Sequence, residues 1–276
     1  MAVNQSVSKR RNAGSSGQEG VKFWDKIDAR VMTVISFIVG ILFWAGISSF
    51  PQVGAVLVGP GKVAQAFVSE LQSGSLYSNI SISLFRVLCG FALGLVAAIP
   101  VAFLMGWYSL FRNIVEPWIQ FFRTIPPIAL IPLVIVAFGV GEGAKVTVIF
   151  VASFLVMVIT IYQGVRNVDP TLIKAAKVLG ATDKDIFFEV VVPASFPYIL
   201  VGVRLGLASA LTTLVAAELT GASAGLGDMI EEASIYFRMD LVLLGIVLIG
   251  IIGFVLDRGV LFLERKLTGW QEVRKS

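Results

Sequence analysis

The side chains that most often carry enzyme chemistry are scarce in this sequence. It contains no His, which excludes a Ser-His-Asp triad, an HExxH zinc site and an imidazole proton relay. Its single Cys, Cys89, lies in an apolar run, cannot form a disulfide within the chain and is predicted to be a packed residue. The residue types therefore predict no catalytic site, no metal site and no cofactor bound by this chain.

Arg86, Arg204 and Glu218 are ionisable residues that fall inside apolar runs. Charged side chains in such runs usually face the protein interior, a cavity or the membrane interface. Either Arg could attract an anionic solute, but a structural ion pair or a side chain that reaches the interface is the favoured interpretation. Glu218 lies shortly before Thr220. It could belong to a gate or a protein contact, or it could be a satisfied carboxylate at a helix end.

A glycine-rich stretch, GASAGLGDMIEEAS at 221–234, predicts a turn followed by a short helix from Leu226. Its glycine spacing superficially resembles a phosphate loop, but the Lys and Ser/Thr that such loops need are missing. No known ATP-binding motif occurs in the sequence. The net charge of +4 comes from basic residues that are spread over several loops without interleaved aromatics, so nucleic acid is excluded as a partner.

The elements that must position these residues are apolar. The chain is 57% hydrophobic and 14% charged, whereas a soluble domain has about 25% charged residues. Apolar runs of roughly 20 residues, long enough to span a bilayer, recur along it. We therefore predict an all-α polytopic membrane protein with spans at 31–49, 82–105, 114–138, 146–163, 197–219 and 241–260.

The domain prediction places a membrane domain at 31–260 between two tails. Residues 1–30 are predicted to form a polar, largely disordered tail, and residues 261–276 a second polar tail. The distribution of Lys and Arg sets the orientation, because cytoplasmic segments are enriched in both. With both termini in the cytoplasm, 16 of the 22 basic residues lie in cytoplasmic segments and span ends, and only three lie outside.

The stretch KAAKVLGATDKDIFFEVVVP at 174–193 is charged and sharply amphipathic, and this orientation places it in the cytoplasm. Asp169-Pro170 can start a helix there. Apolar residues at three- and four-residue spacing give that helix one apolar face, formed by Leu172, Ala175, Ala176 and Leu179. Gly180 fits the left-handed position that ends such a helix.

A second helix is predicted at 183–191, with Thr182 or Asp183 as its cap. Its apolar face is formed by Ile186, Phe187 and Val190, and Pro193 is predicted to end it before the fifth span. The two helices make a hairpin over 171–192, and we call this segment the hairpin below. From the spacing alone, an amphipathic hairpin lying on lipid is the alternative interpretation.

The hairpin resembles the loop of ABC-importer permeases that carries an E-A-A, then G, then L-P pattern. The matching residues are Ala175, Ala176, Gly180 and Pro193, and Lys174 stands where the family has Glu, so that an acid-dependent contact is not available here. The resemblance implies that the hairpin couples this chain to an ATP-binding subunit. The implied coupling residues are Lys174, Ala175, Ala176, Gly180, Asp183, Ile186 and Pro193.

Three further stretches carry the resemblance over roughly residues 50–270. RTIPPIALIPLVIVAFGVGEGAK at 123–145 and LVAAELTGASAGLGDMI at 214–230 resemble the branch that imports nitrate, sulfonates, taurine, bicarbonate and some vitamin precursors, and LDRGVLFLERKLTGW at 256–270 resembles its usual ending. The resemblance implies the type I ABC-importer permease fold in the bacterial inner membrane. It also implies a second copy of this chain, two ATP-binding subunits, an extracytoplasmic solute-binding protein and a small anion as solute.

Pro126, Pro127 and Pro132 are predicted to break the third span at 114–138. Broken helices at membrane depth need buried or water-lined surroundings. These prolines, together with Arg204 and Glu218, are therefore the candidates for lining the translocation path, and a packing kink is the alternative for the prolines.

A gradient-driven secondary transporter or channel is the rival function, but it would need intramembrane carboxylate or His relays. An intramembrane enzyme is excluded, because no nucleophile–base pair or metal ligands are found.

Overall fold

The computed structural model describes residues 29–267, which contain helices and turns but no β-strand. The chain divides into two compact units, residues 1–62 and 63–276. The first unit contains α1 (Ala29–Ser48) and α2 (Pro51–Gly54). Within it, the ring N–H of Trp44 donates a hydrogen bond to the Val58 carbonyl at 3.0 Å. Residues 1–28 of the predicted disordered tail lie outside the described residues.

The second unit begins within α3 (Pro60–Ser73) and consists of helices joined by short turns. A 3₁₀ turn at Pro127–Leu130 and a π-helical turn at Ile186–Val191 interrupt the regular pattern. The remaining helices are α4 (Ser75–Trp107), α5 (Ser109–Arg123), α6 (Ile131–Phe138), α7 (Glu142–Arg166), α8 (Pro170–Val178), α9 (Asp183–Asp185), α10 (Val192–Leu219), α11 (Leu226–Ile235) and α12 (Met239–Leu267).

The apolar helices confirm the prediction of a polytopic membrane protein. Within residues 29–267, five continuous helical segments are long and apolar enough to cross a membrane, and α5 with α6 adds a sixth if this bent pair is one crossing. The predicted first, second, fourth, fifth and sixth spans coincide with these five segments. The last of them, α12, continues to Leu267, past its predicted end at 260, and residues 268–276 lie outside the described range.

Helix α7 lies at the centre of the second unit, between α4 and α10. It is the most deeply buried of the long helices, because 61% of its most apolar stretch is buried. Its neighbours approach closely because they present glycine: a Cβ at Gly90 of α4 would lie 2.6 Å from Ile149 Cγ2, and one at Gly202 of α10 would lie 3.1 Å from Ile161 Cγ1. The small residues of these spans therefore serve close helix packing.

The predicted third span is a pair of helices and not one kinked helix. The axes of α5 and of the 127–138 segment meet at 92°, and the bend lies at Pro126-Pro127, where the break was predicted. Helix α5 carries Arg112, Glu116 and Arg123, so it is amphipathic and not uniformly apolar. Helix α6 has eight apolar residues and rises about 12 Å, which is too short to cross a bilayer alone.

The prediction that Pro193 ends the second helix of the hairpin is wrong. Helical structure runs on from Asp183 to Leu219, and Pro193 lies in the first turn of α10. A proline has no N–H and its ring crowds the carbonyl four residues earlier. The preceding six residues form a π-helical turn, whose hydrogen bonds reach one residue further along the chain. The wider turn lets the chain pass the proline without ending the helix, so the hairpin is continuous with α10.

Candidate functional site

The turn of the hairpin has the geometry that the sequence predicts. Gly180 has φ +85°, in the left-handed region. Its N–H donates to the Lys177 carbonyl at 3.0 Å, and the N–H of Ala181 donates to the Ala176 carbonyl at 3.1 Å. These two bonds form a Schellman motif, which satisfies the last carbonyls of α8. The turn therefore depends on a residue that tolerates positive φ.

The starts of both hairpin helices are capped by side chains. Asp169 accepts a hydrogen bond from the Thr171 N–H at 2.8 Å, and this bond holds the pKa of the Asp169 carboxyl below its ordinary value. Thr182 caps the second helix and exchanges hydrogen bonds with Asp185 in a capping box. The cap is thus Thr182, one of the two predicted residues, while Asp183 is exposed in the first turn. The caps fix where each helix begins.

One face of the hairpin is anchored in the core. Ile186 is 1% exposed and packs in the same apolar cluster as Phe103 of α4 and Tyr162 of α7. The ring of Phe187 packs edge-to-face on Phe103 and on Trp107, with centroid distances of 5.7 and 5.2 Å. Ile186, a predicted coupling residue, is therefore buried within this chain and is not available to a partner.

Large apolar side chains of the hairpin are exposed. Val178 and Leu179 are 86% and 87% exposed, and Phe188 is 67% exposed. Among the predicted coupling residues, Lys174, Ala175, Gly180 and Asp183 are also exposed, whereas Ala176 and Pro193 are half-buried. We call Val178, Leu179 and Phe188 the hairpin patch. Val178 and Phe188 were not among the predicted candidates, although both lie in the quoted 174–193 stretch.

A buried ion cluster lies at the opposite ends of α4, α7 and α10 from the hairpin. Arg86 is 1% exposed. Its Nε and Nη2 donate to the two carboxylate oxygens of Glu142 at 2.5 and 2.6 Å, and its Nη1 donates to Glu218 Oε1 at 2.7 Å. Lys145 Nζ lies 3.5 Å from Glu142 Oε1. Two cations and two anions thus join three helices.

The cluster also fixes the loop before α11. Glu218 accepts bonds from Ser83 Oγ at 2.8 and 2.9 Å and from the Gly227 N–H at 2.9 Å. Arg86 donates to the Ala224 carbonyl at 2.7 Å, and Asn79 accepts from the Gly225 N–H at 3.0 Å. Asn79, Ser83 and Arg86 share one face of α4, because they are spaced by four and three residues. This polar stripe on an apolar helix is the sequence signal that could have revealed the cluster.

The candidates for the path have different surroundings. Glu218 is 1% exposed and its carboxylate is fully paired, which is the satisfied helix-end carboxylate given above as an alternative. Arg204 Nε donates to Asp257 Oδ1 at 3.0 Å, as the structural-pair interpretation holds, and both side chains are about 40% exposed. Pro126 and Pro132 are exposed at the bend between α5 and α6, and Pro127 is half-buried. The structure does not bring these five residues together at one site.

Comparison with known proteins identifies the family. The family described as "Binding-protein-dependent transport system inner membrane component" matches residues 90–269. A probable ABC transporter permease protein of Brucella abortus (strain 2308) is 51% identical over 241 residues, which cover 87% of this chain and 96% of that protein. The taurine transport system permease protein TauC of Escherichia coli (strain K12) is 38% identical, and the alignment covers 71% of each chain.

Two further comparisons agree. The putative aliphatic sulfonates transport permease protein SsuC of Bacillus subtilis (strain 168) is 34% identical over 84% of each chain. The crystal structure of an amino acid ABC transporter with histidines matches 72% of this chain and 98% of that chain, with a TM-score of 0.63 at 18% identity, which supports the fold alone. The chain therefore belongs to the inner-membrane components of binding-protein-dependent transport systems, as a multi-pass permease subunit of an ABC importer in the bacterial inner membrane and not an enzyme.

Proposed function

We propose that this permease forms the translocation path for a small anion and that its hairpin docks on an ATP-binding subunit in the cytoplasm. The importer would contain two ATP-binding subunits, a second copy of this chain and an extracytoplasmic solute-binding protein. ATP would bind only to the partner subunits. The observation that carries the proposal is the hairpin patch, an exposed apolar surface on a segment that is anchored in the core of the permease.

The anchoring of the hairpin supports a role in coupling. Phe188 of the hairpin patch packs edge-to-face on Phe187 with a centroid distance of 4.9 Å, and Phe187 packs in turn on Phe103 and Trp107 of α4. Close-packed protein interiors have low compressibility, so a displacement of one side chain is transmitted to the side chains that it contacts. A partner that moved Leu179 or Phe188 would therefore move the adjacent end of α4, and a hairpin that merely lay on lipid would not need this anchor.

The buried carboxylates do not support the rival function of a gradient-driven transporter. Proton relays use ionisable groups that can exchange protons with a water-filled path. The carboxylate of Glu218 is 0% exposed and accepts from Arg86, Ser83 and the Gly227 N–H. A carboxylate with this many fixed hydrogen-bond partners suits a structural tie better than a relay.

The bend between α5 and α6 supports a place for Pro126, Pro127 and Pro132 beside the path. Segments with irregular backbone at membrane depth occur only where they are buried in protein or line a water-filled cavity. The residues around the bend expose apolar side chains, among them Ile128, Leu133 and Val136. In this proposal, that surface is covered by the second copy of the chain and by the solute path between the copies.

The orientation can be tested by thiol labelling in intact cells. With Cys89 replaced by Ala, we expect Glu232→Cys on α11 to react with a membrane-impermeant maleimide and Lys177→Cys on α8 to react only with a permeant one. Both residues are exposed and lie on segments at opposite ends of the molecule. The expectation follows from the 16:3 distribution of basic residues. Reversed labelling would place the hairpin outside the cell and exclude its proposed partner.

The solute class can be tested in proteoliposomes that contain the complete importer and its solute-binding protein. The names of TauC and SsuC refer to taurine and aliphatic sulfonates, so we expect ATP-dependent uptake of labelled taurine that excess ethanesulfonate reduces. The matched control is β-alanine, which has the taurine skeleton with a carboxylate in place of the sulfonate, and its uptake should be weak. Uptake that an ionophore abolishes while ATP remains present would instead favour the gradient-driven transporter.

A further inference from the structure

Arg86 joins two carboxylates that differ greatly in exposure. The side chain of Glu218 is 0% exposed, whereas that of Glu142 is 51% exposed. Separating Arg86 from Glu218 would leave two charges without compensation in a sealed interior, which is strongly unfavourable. When Arg86 separates from Glu142, the exposed carboxylate can be hydrated, so the cost is much smaller. The two halves of the cluster therefore differ in how easily they open.

Each partner also keeps a counter-charge when the Arg86–Glu142 pair opens. Arg86 retains Glu218 at 2.7 Å and the Ala224 carbonyl at 2.7 Å. Glu142 retains Lys145, whose Nζ lies 3.5 Å from Glu142 Oε1. Opening the pair would therefore separate Nε and Nη2 of Arg86 from Glu142 but would leave each charge with an opposite charge nearby.

The two carboxylates lie next to different segments of the chain. Glu218 and Arg86 hold the loop at 224–227 and the first turn of α11. Glu142 is the first residue of α7 and follows the end of α6 after only Gly139, Val140 and Gly141. Gly139 has φ +78° and no atom near the place of a Cβ, so this connection is unobstructed by neighbouring side chains. The Arg86–Glu142 pair joins α4 to the start of α7, and it thereby lies between the loop before α11, which Arg86 also holds, and the short connection that follows α6.

We propose that Arg86 is a positioning residue for transport and that its ion pair with Glu142 is a releasable tie between α11 and α6. The inference rests on the proposed function, in which α6 borders the path and α11 lies on the side of the solute-binding protein. With the pair made, α6 is held against the bundle. Displacement of α11 by the docked solute-binding protein opens the pair and frees the outer end of α6.

The tie can be tested with a reporter thiol on α6. Val136, which is 85% exposed, is replaced by Cys in a Cys89→Ala background, and intact cells that express the whole importer are treated with an impermeant maleimide. We expect Glu142→Gln to raise the labelling rate at position 136 by about fivefold or more, the lower end of typical coupling between sites. Glu142→Asp keeps the charge and should raise the rate less.

The matched control is Asp240→Asn, which removes the carboxylate of the Arg238–Asp240 ion pair at the start of α12 and should leave the labelling rate unchanged. An unchanged rate in Glu142→Gln would overturn the tie, whether or not the amount of permease in the membrane falls. ATP-driven uptake by the unsubstituted importer is measured in parallel. If that uptake is absent, the proposed function fails, whereas normal uptake with an unchanged labelling rate rejects the tie alone.

Discussion

Replacing Gly180 by Val is expected to remove most ATP-driven uptake while the amount of permease in the membrane stays normal. Gly180 has φ +85°, and a β-branched residue in the left-handed region costs roughly 1–3 kcal/mol. No atom lies within 4 Å of the place of its Cβ, so the effect would come from the backbone and not from a steric clash. The exposed turn can relieve the strain by changing conformation, which would misplace the hairpin patch.

The expected size of the loss of uptake follows from the backbone strain in Gly180→Val. A cost of one or two kcal/mol lowers the population of the docking-competent turn by a factor of roughly 5–30. Copurification of the ATP-binding subunit and uptake should fall together. Leu179→Asp should give the same result by a different route, because it places a charge in the hairpin patch and leaves the turn intact.

Two control variants separate the effect of backbone strain at position 180 from the effect of adding a side chain. Gly61→Val adds the same side chain where no atom lies within 4 Å and φ is not positive, so uptake should remain near normal. Gly180→Asn should be milder than Gly180→Val, because Asn tolerates the left-handed region. Normal copurification and uptake in both Gly180→Val and Leu179→Asp would show that the hairpin only lies on the membrane.

The largest loss of stability is expected for Arg86→Met. This change leaves the Glu218 carboxylate buried without its charge partner. Breaking a buried ion pair from one side typically costs about 3–5 kcal/mol. It would also remove the donor to the Ala224 carbonyl, so the loop before α11 would lose part of its support. Thermal unfolding of the purified permease in detergent, followed with its yield from membranes, measures the effect.

Arg238→Met is the matched control. Arg238, just before α12, pairs with Asp240 in the first turn of that helix at 3.0 Å, and the Arg238 side chain is 51% exposed. Exposed ion pairs of this kind contribute about 0–1 kcal/mol to the free energy of unfolding. The double substitution of Arg86 and Glu218 by Met should recover part of the lost stability, because no sealed charge then remains without a partner. Equal melting temperatures for Arg86→Met and Arg238→Met would contradict the view that the cluster is sealed.

The hairpin turn was predictable because its determinants are local. The glycine that adopts positive φ, the Thr182 cap and the Asp169-Pro170 start all act within a few residues of the backbone that they fix. The same holds for the bend at Pro126-Pro127. The passage of helical structure through Pro193 was not predictable from the proline alone, because the π-helical turn before it depends on Ile186 and Val191 finding buried positions.

The polar stripe on α4 marks a buried polar site, but the partners of Arg86 could not be predicted because the members of the ion cluster lie far apart in the sequence. Arg86 is separated from Glu142 by 56 positions and from Glu218 by 132. Nothing near any of these residues indicates which charge it meets, since that depends on how α4, α7 and α10 pack. The favoured interpretation of Arg86 as half of a structural pair agrees with the geometry, although its partners became known only from the structure.

The short length of α6 has a consequence for how the permease is made. The translocon inserts segments of roughly 20 apolar residues on their own, and α6 has eight. Its first residue, Ile131, packs on Val148 of α7 and Ala217 of α10, both of which leave the ribosome later. We therefore expect α6 to reach its final depth only after α10 has been synthesised. The bent pair of α5 and α6 is thus among the last parts of the fold to be completed, and the path that it is proposed to border forms only after α10 has been made.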